Sequence, residues 1–415
     1  MSGTMERGLT ATRSFPLQRH GRRRLALPTD LDLAILGGGC AGLSLALRLA
    51  EQPGRRQRVM VIESRSAYTN DRSWCFWRLG PHRHEPLVKR SWSSVTVRSG
   101  SRAVHVDCTR TPYQLLEAGD YYDHACSAIA ASEGVRLQTG VSVLEPPRPV
   151  PGGWRIETST GGLTAAQVID TRPPSQARRG DSVLWQSFFG QEVACDRAVF
   201  DTSRVELMDF ASESPQGVAF TYVLPLAADR ALIETTLFHP QPHGPDELSI
   251  RQRQAVQRLC GDAQTRVVRS EAAVLPMGMT RPATALGSGY LRAGLMSGAA
   301  RPATGYAFQR IQRWADECGA ALRCGRAPIG HAPDPWLTQL MDRLFLDVLR
   351  THPERGPELF TSLFGHTPSP RIVRFLSDRG TLMDRVAIAA SLPTGLFLRQ
   401  LLRAAPRGPV RAQPT

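Results

Sequence analysis

The apolar positions of this chain change period several times along its length, and each change marks an element. Leu33 to Leu36 is a short, continuous apolar run of the buried-strand kind, followed by three successive glycines and then by helix-forming Leu43 to Ala50. A second buried-type run, Val59 to Ile62, ends in Glu63. Val104 to Cys108 reads as a strand, Pro112 to Glu133 as a helix opened by a proline in its first turn, and Val135 to Gln138 as a further strand. Trp154 to Glu157 and Ala166 to Ile169 flank Gly161 and Gly162 as a meander or hairpin, and the return strand ends in Asp170, Thr171 and Arg172. From Val183 to Phe238 the chain is dense in β-branched and aromatic residues with short turns. Glycines cluster again between Gly287 and Gly305, then a helix from Ala307 to Glu317 leads into a mostly helical tail reaching about Arg403.

The first of these patterns carries chemistry. Gly37, Gly39 and Gly42 have G-x-G-x-x-G spacing between a strand and a helix. In a dinucleotide fold Gly37 permits the tight turn, Gly39 lets backbone approach a pyrophosphate, and Gly42 lets helix and strand pack closely. The phosphates then sit at a helix N-terminus, where free N–H groups and the helix dipole favour negative charge. Glu63 follows about 20 residues later, where an acid accepts from the adenosine ribose hydroxyls. That acid disfavours a 2′-phosphate, so FAD or NAD is expected rather than NADP. The glycines alone would also suit an ordinary strand-to-helix loop; their flanks favour the dinucleotide.

The expected architecture is α/β with an α+β insert. A Rossmann-like cofactor domain occupies 30–180 and 281–330, interrupted by a β-rich substrate domain at 181–280 and followed by a helical segment at 331–404. A basic disordered tail at 1–29 and a short tail at 405–415 complete the chain. Residues 1–28 lack the apolar core of a secretory signal, and an overlong gene start with Met5 or a later codon as the true one is a second reading.

Composition narrows the function classes. No window approaches the roughly 18–20 consecutive apolar residues of a membrane-spanning helix. The eight cysteines show no C-x-x-C pair, so reduced thiols in a cytosolic setting are expected. His82 and His84 are close in sequence but lack a third ligand, which favours a loop over a metal site. The net charge of +14 is almost wholly arginine, Lys89 being the only lysine, and much of the excess lies at the two ends. It is read as codon usage, and no nucleic-acid partner is expected. Arg399, Arg403, Arg407 and Arg411 recur every four residues beside Leu396, Phe397, Leu398, Leu401 and Leu402. They form either a solvated face or a seat for anionic headgroups, which would make the protein cytoplasmic and peripheral to the membrane.

An ordered set of motifs adds a resemblance. Asp71, Arg72, Ser73, Trp74, Cys75, Phe76, Trp77 resembles the aspartate, arginine and tryptophan signature of bacterial lycopene cyclases. The likeness continues through Asp170 with Arg172, Gln186 to Gly190, Phe200 with Asp201, Met208 to Phe210 and Leu232 to Thr236. It runs on through Leu275 to Met277, Arg301 to Tyr306, Leu344 to Leu346 and Phe375 with Leu376, spanning about residues 30–400. The resemblance implies the FAD hydroxylase and reductase fold and closure of β-ionone rings on lycopene or a related linear carotenoid. It also implies reduced FAD as cofactor, with NAD(P)H as the source of electrons. One departure is that Gly294 to Ala300 holds no acid where flavin hydroxylases place a Gly-Asp pair on the ribityl chain. This leaves the ribityl contacts unassigned.

Ring closure requires a proton delivered to a terminal alkene, attack by the neighbouring double bond, and loss of a proton, with no net redox change. It therefore needs an acid able to protonate carbon, negative charge near the cation, and exclusion of water. Glu234 is the candidate acid. It lies in a strand, Ala231 to Phe238, whose period of two puts Leu232, Thr236 and Phe238 on its face, where desolvation favours a protonated carboxyl. A solvated glutamate on an edge strand is the alternative. Asp71 and Arg72 either shape the flavin or substrate site or form a surface ion pair. Asp201 and Asp209 either steady the cation or cap turns. Gly298, Thr304 and Gly305 are assigned to the cofactor through the second glycine cluster and its loop, though Gly305 also suits plain punctuation. The competing functions are a true FAD-dependent hydroxylase or polyprenyl reductase on the same fold and, in a different class, a basic nucleic-acid-binding flavoprotein.

Overall fold

The computed structural model describes residues 29–51, 57–173, 182–211, 217–278 and 285–404. The expected basic tail at 1–29, Thr29 excepted, and the tail at 405–415 lie outside these residues.

A largely parallel sheet forms the first layer. Its main path runs Ala285–Gly287, Tyr290–Arg292, Gly161–Asp170, Leu31–Leu36, Val59–Ile62, Val135–Gln138. Leu31–Leu36 lies in the middle, paired in parallel with Gly161–Asp170 on one side and Val59–Ile62 on the other. A strand flanked on both sides and covered on both faces must be apolar throughout, which is why Leu33 to Leu36 reads as an unbroken run; all four side chains are buried. The helix Cys40–Ala50 covers one face and packs against Phe308–Arg323 and Ala118–Ala130.

The second layer is a seven-stranded sheet. Its order is Thr265–Met277, Leu184–Cys195, Arg230–His239, Val218–Ala227, Val205–Asp209, Ser94–Ser99, Arg102–Asp107. Most neighbours are antiparallel, but Val205–Asp209 and Ser94–Ser99 run parallel. The hairpin of Ser94–Ser99 and Arg102–Asp107 is drawn from inside segment 30–180, so the second sheet is built from two stretches of chain. The helices Trp336–Thr351, Gly356–His366, Ser369–Leu376, Leu382–Ala390 and Thr394–Ala404 pack on one face of this sheet and share its core, whereas Pro245–Cys260 covers the other face.

The helix expected over Pro112 to Glu133 divides in two. Tyr113–Glu117 is the central strand of a small three-stranded sheet, between Ser73–Trp77 and Val88–Trp92. Only Ala118–Ala130 is helical. All five residues of the strand are buried, and its polar members are satisfied by distant partners: Gln114 Oε1 meets His82 Nε2 at 2.8 Å, and Glu117 pairs with Lys89 at 3.4 Å. Cross-strand burial on both faces overrides helix propensity.

Candidate active site

The glycine turn is shaped by local packing. Gly37 has φ of +94°, a conformation that L side chains rarely adopt. A Cβ on Gly42 would stand 1.9 Å from the Gly37 carbonyl oxygen, so no larger residue fits between turn and helix. Gly39 is different. A Cβ there would meet no protein atom within 4 Å, because Gly39 faces open space at the start of the Cys40–Ala50 helix. Beside it, Glu63 Oε2 accepts from the Gly38 N–H at 2.6 Å, and Glu63 Oε1 accepts from the Arg65 N–H and Nε. These bonds and the Arg65 charge hold the buried Glu63 carboxyl below its ordinary range, although burial alone would raise it.

From Gly39 a single cavity of about 970 Å³ runs between the layers as far as the C-terminal helices. It brings together Gly39, Asp71, Arg72, Glu234, Thr304 and Gly305, whereas Gly37, Gly42, Glu63 and Gly298 stand behind its wall. Its floor is the seven-stranded sheet. Gln186 and Phe188, Phe220 and Tyr222, Glu234, Thr236 and Phe238, and Ala273 and Leu275 alternate inward on four adjacent strands, as a period of two requires.

Glu234 sits on this floor, 9% exposed, with one hydrogen bond at 2.8 Å donated by the Thr236 hydroxyl. Burial pushes its carboxyl up to about 8, the charge of Glu271 adds to the rise, and the Thr236 hydroxyl opposes it. Glu271 is the residue that the sequence analysis missed. It projects from the neighbouring edge of the sheet, buried, and its Oε2 accepts from Ser73 Oγ at 2.9 Å and Arg269 Nη1 at 2.7 Å. Burial raises its carboxyl too, opposed by Arg269, Ser73 and Arg72. The available signal was the alternation of Glu271, Ala273, Leu275 and Met277, which places an acid on an otherwise apolar face.

Asp71 lies toward the Arg65 and Glu63 end of the cavity. Its carboxylate accepts from the Tyr122 hydroxyl at 3.1 Å and lies 3.6 Å from Arg65, which in turn holds Glu63. Arg72 donates to the Asp71 carbonyl at 2.5 Å. Trp74 stacks on Phe308 at 5.3 Å, and Trp77 is buried against Tyr113. The loop Arg301 to Tyr306 is anchored by Arg301, which is 1% exposed and paired with Asp342 at 3.0 Å. Gly305 turns at φ +69°, and a Cβ there would meet Gln186 Oε1 at 2.8 Å; that oxygen is buried and accepts no hydrogen bond.

Two considered roles are not supported by placement. Asp201 lies away from the cavity and caps its own turn, accepting from the Ser203 N–H at 2.9 Å and from Arg204 Nε at 2.7 Å. These bonds lower its carboxyl to about 2. Asp209 is paired with Arg258 at 2.7 Å, likewise outside the cavity lining. His82 and His84 bond to Gln114 and Gln312, and no cluster able to hold a metal occurs among the described residues.

The model of the family described as lycopene cyclase protein matches residues 32–402. The chain belongs to that family. It is 27% identical over 380 residues to a lycopene beta-cyclase of Pseudescherichia vulneris, covering 87% of this chain and 94% of that protein. It is 25% identical over 385 residues to a lycopene beta-cyclase of Pantoea ananas, with the same coverage. Among solved structures, a geranylgeranyl bacteriochlorophyll reductase-like protein of Thermoplasma acidophilum superposes with TM-score 0.58 at 13% identity, over 90% of this chain and 98% of that one. The p-nitrophenol 4-monooxygenase of Pseudomonas putida does so with TM-score 0.57 at 17% identity, over 91% and 98%. These last two establish the fold, which is the one expected for the cofactor domain and its β-rich insert.

Proposed function

We propose that this protein is an FAD-dependent lycopene β-cyclase that closes β-ionone rings without net redox change. The observation that carries the reading is Glu234, a buried carboxyl with no cationic partner at hydrogen-bond distance among the described residues, set in the largely apolar floor of a long cavity. A general acid must hold its proton near neutral pH, and desolvation achieves this. The donor then faces hydrocarbon rather than water, so a cation formed there is not quenched.

The residues at the other end fit a flavin dinucleotide. Gly39 leaves open space at a helix N-terminus for a pyrophosphate, Glu63, held by Gly38 and Arg65 behind the cavity wall, would accept from ribose hydroxyls, and the buried Gln186 oxygen beside Gly305 would take a donor from the flavin. Gly298, Thr304 and Gly305 would complete the cofactor end, with Asp71 and Arg72 between it and the substrate. Reduced FAD, when bound, would supply an electron-rich ring near the developing cation, with NAD(P)H as the original source of electrons.

The substrate would reach this cavity from a membrane surface. The helices Trp336–Thr351, Leu382–Ala390 and Thr394–Ala404 each contribute cavity-lining residues and also expose large apolar side chains, including Trp336, Leu382, Met383 and Leu402. No helix among the described residues is long and apolar enough to cross a membrane. Peripheral contact from the cytoplasmic side is therefore the proposed mode.

A true oxidoreductase is the second reading, favoured by the likeness of fold to a reductase-like protein and a monooxygenase. Pigment analysis of a lycopene-accumulating host separates the two. Cyclised carotene is the expected product of this chain, and its absence alongside an oxidised or hydrogenated pigment would establish the alternative.

A further inference from the structure

Ring closure ends with the loss of a proton, and Glu234 cannot be assumed to take it back from a different carbon. A second proton-accepting group is needed within the same cavity. Gly190 separates Glu234 from a second buried carboxyl. In the register of the sheet Gly190 pairs with Glu234 on one side and with Glu271 on the other. A Cβ on Gly190 would meet Glu234 Cγ and Glu271 Cγ at 3.4 Å each, so those two atoms lie at most about 7 Å apart. Both side chains line the cavity.

Resting on the cyclase reading, we propose that Glu271 is the catalytic base that removes the ring proton, and that the pair shares one proton across Gly190. The asymmetry of their partners decides which carries it at rest. Glu271 accepts from Arg269 and Ser73, which stabilise a carboxylate, whereas Glu234 has the Thr236 hydroxyl. Two buried carboxyls this close do not both ionise readily.

The cycle balances. Glu234 O–H breaks and its proton joins the terminal alkene carbon, leaving Glu234 as a carboxylate and a tertiary cation on the neighbouring carbon. The internal double bond supplies the electron pair of the new ring bond, which moves the cation into the ring. The C–H bond on the attacking carbon then breaks, its electrons form the ring double bond, and the proton passes to Glu271. One proton transfer from Glu271 to Glu234 restores the resting state, with no oxidant or reductant consumed.

The test uses flavin-loaded enzyme, reduced beforehand, on lycopene in phospholipid vesicles made up in D2O. The parent should give β-carotene carrying one deuterium per ring. Glu271→Gln should lower β-ring formation at least a hundredfold. Its trapped cation should decay otherwise, placing deuterium in recovered lycopene or giving rings with a displaced double bond. Glu234→Gln should show neither product nor exchange. Arg269 keeps its 2.7 Å bond to Glu192 in the Glu271→Gln protein, and thermal melting with flavin content checks that the fold survives. Glu271→Asp, which retains a base, should recover part of the β-ring product.

Parent-like β-carotene from Glu271→Gln overturns the assignment. So does a folded, flavin-loaded Glu271→Gln that shows no exchange, because the residue would then only set up the acid. If Glu271→Gln does not fold, a folded Glu271→Asp that forms β rings more slowly than the parent while placing deuterium in recovered lycopene supports the base, and one with the parent's rate, or one inert in both cyclisation and exchange, overturns it. A parent enzyme that forms no ring of any kind sinks the cyclase reading itself.

Discussion

Arg301 and Asp342 form an ion pair at 3.0 Å that is almost wholly removed from solvent, at 1% and 4% side-chain exposure. Arg301 begins the loop that runs to Tyr306, and Asp342 lies in the helix Trp336–Thr351; both line the cavity. The guanidinium also covers the Phe375 ring at 4.1 Å and lies 3.8 Å from Asp378. One side chain thus ties the glycine loop to the C-terminal helices.

Arg301→Leu should therefore destabilise the whole protein. It leaves Asp342 buried without its partner, and breaking a buried pair costs about 3–5 kcal/mol. Denaturant unfolding of the flavin-loaded protein measures it; a loss under about 1 kcal/mol would show that Asp342 finds another partner or protonates cheaply.

Glu234→Gln keeps size while removing the transferable proton, so it should preserve folding and flavin content yet lower cyclisation by at least about 10⁴, the upper end for general acid catalysis. Glu234→Asp, which withdraws the acid by one carbon–carbon bond, should be intermediate. A near-parental rate for Glu234→Gln would assign the proton to another group.

The same group predicts a pH dependence. The folded-state pKa of Glu234 is raised from 4.5 to about 8. Between these values the unfolded chain has released a proton that the folded chain keeps, so this contribution to stability is full below about 4.5 and is lost as pH rises through about 8. Glu234→Gln should accordingly be more stabilised relative to the parent at pH 8 than at pH 5. Parent cyclase activity should also fall as the acid ionises near pH 8. Paired unfolding curves and a pH–rate profile test both statements.

The two glycines of the turn should fail in different ways. Gly39→Val projects into open space, so the apoprotein should melt close to the parent temperature while flavin absorbance is lost from the purified protein. Gly42→Ala drives a methyl against the Gly37 carbonyl and should lower the melting temperature itself. A Gly39→Val protein retaining full flavin would show that no pyrophosphate lies there.

Redox stoichiometry separates cyclase from oxidoreductase. Enzyme reduced once, without oxygen, should form many rings with no further reductant. Consumption of one NAD(P)H per ring would instead establish redox chemistry.

Much of this protein is decided by short stretches of sequence. The strand, glycine turn, helix, strand and acid from Leu31 to Glu63 are local because backbone conformation at Gly37 and close packing at Gly42 depend on immediate neighbours. Period-two alternation likewise placed Glu234 with Thr236 and Phe238 on one face of its strand. The ordered motifs led to the right family and fold. What the chain alone did not reveal depends on partners remote in sequence. Tyr113–Glu117 carries a helix-compatible composition, and it becomes a strand because Ser73–Trp77 and Val88–Trp92 pair with it on both edges. Asp201 was indistinguishable from a buried acid until its turn was seen to satisfy it. Glu271 gained significance through register, which sets it opposite Gly190 on the side away from Glu234, where burial and the charge of Glu271 both raise the Glu234 carboxyl. Burial and strand register are properties of the assembled sheet, so only the tertiary structure could turn two distant glutamates into a pair.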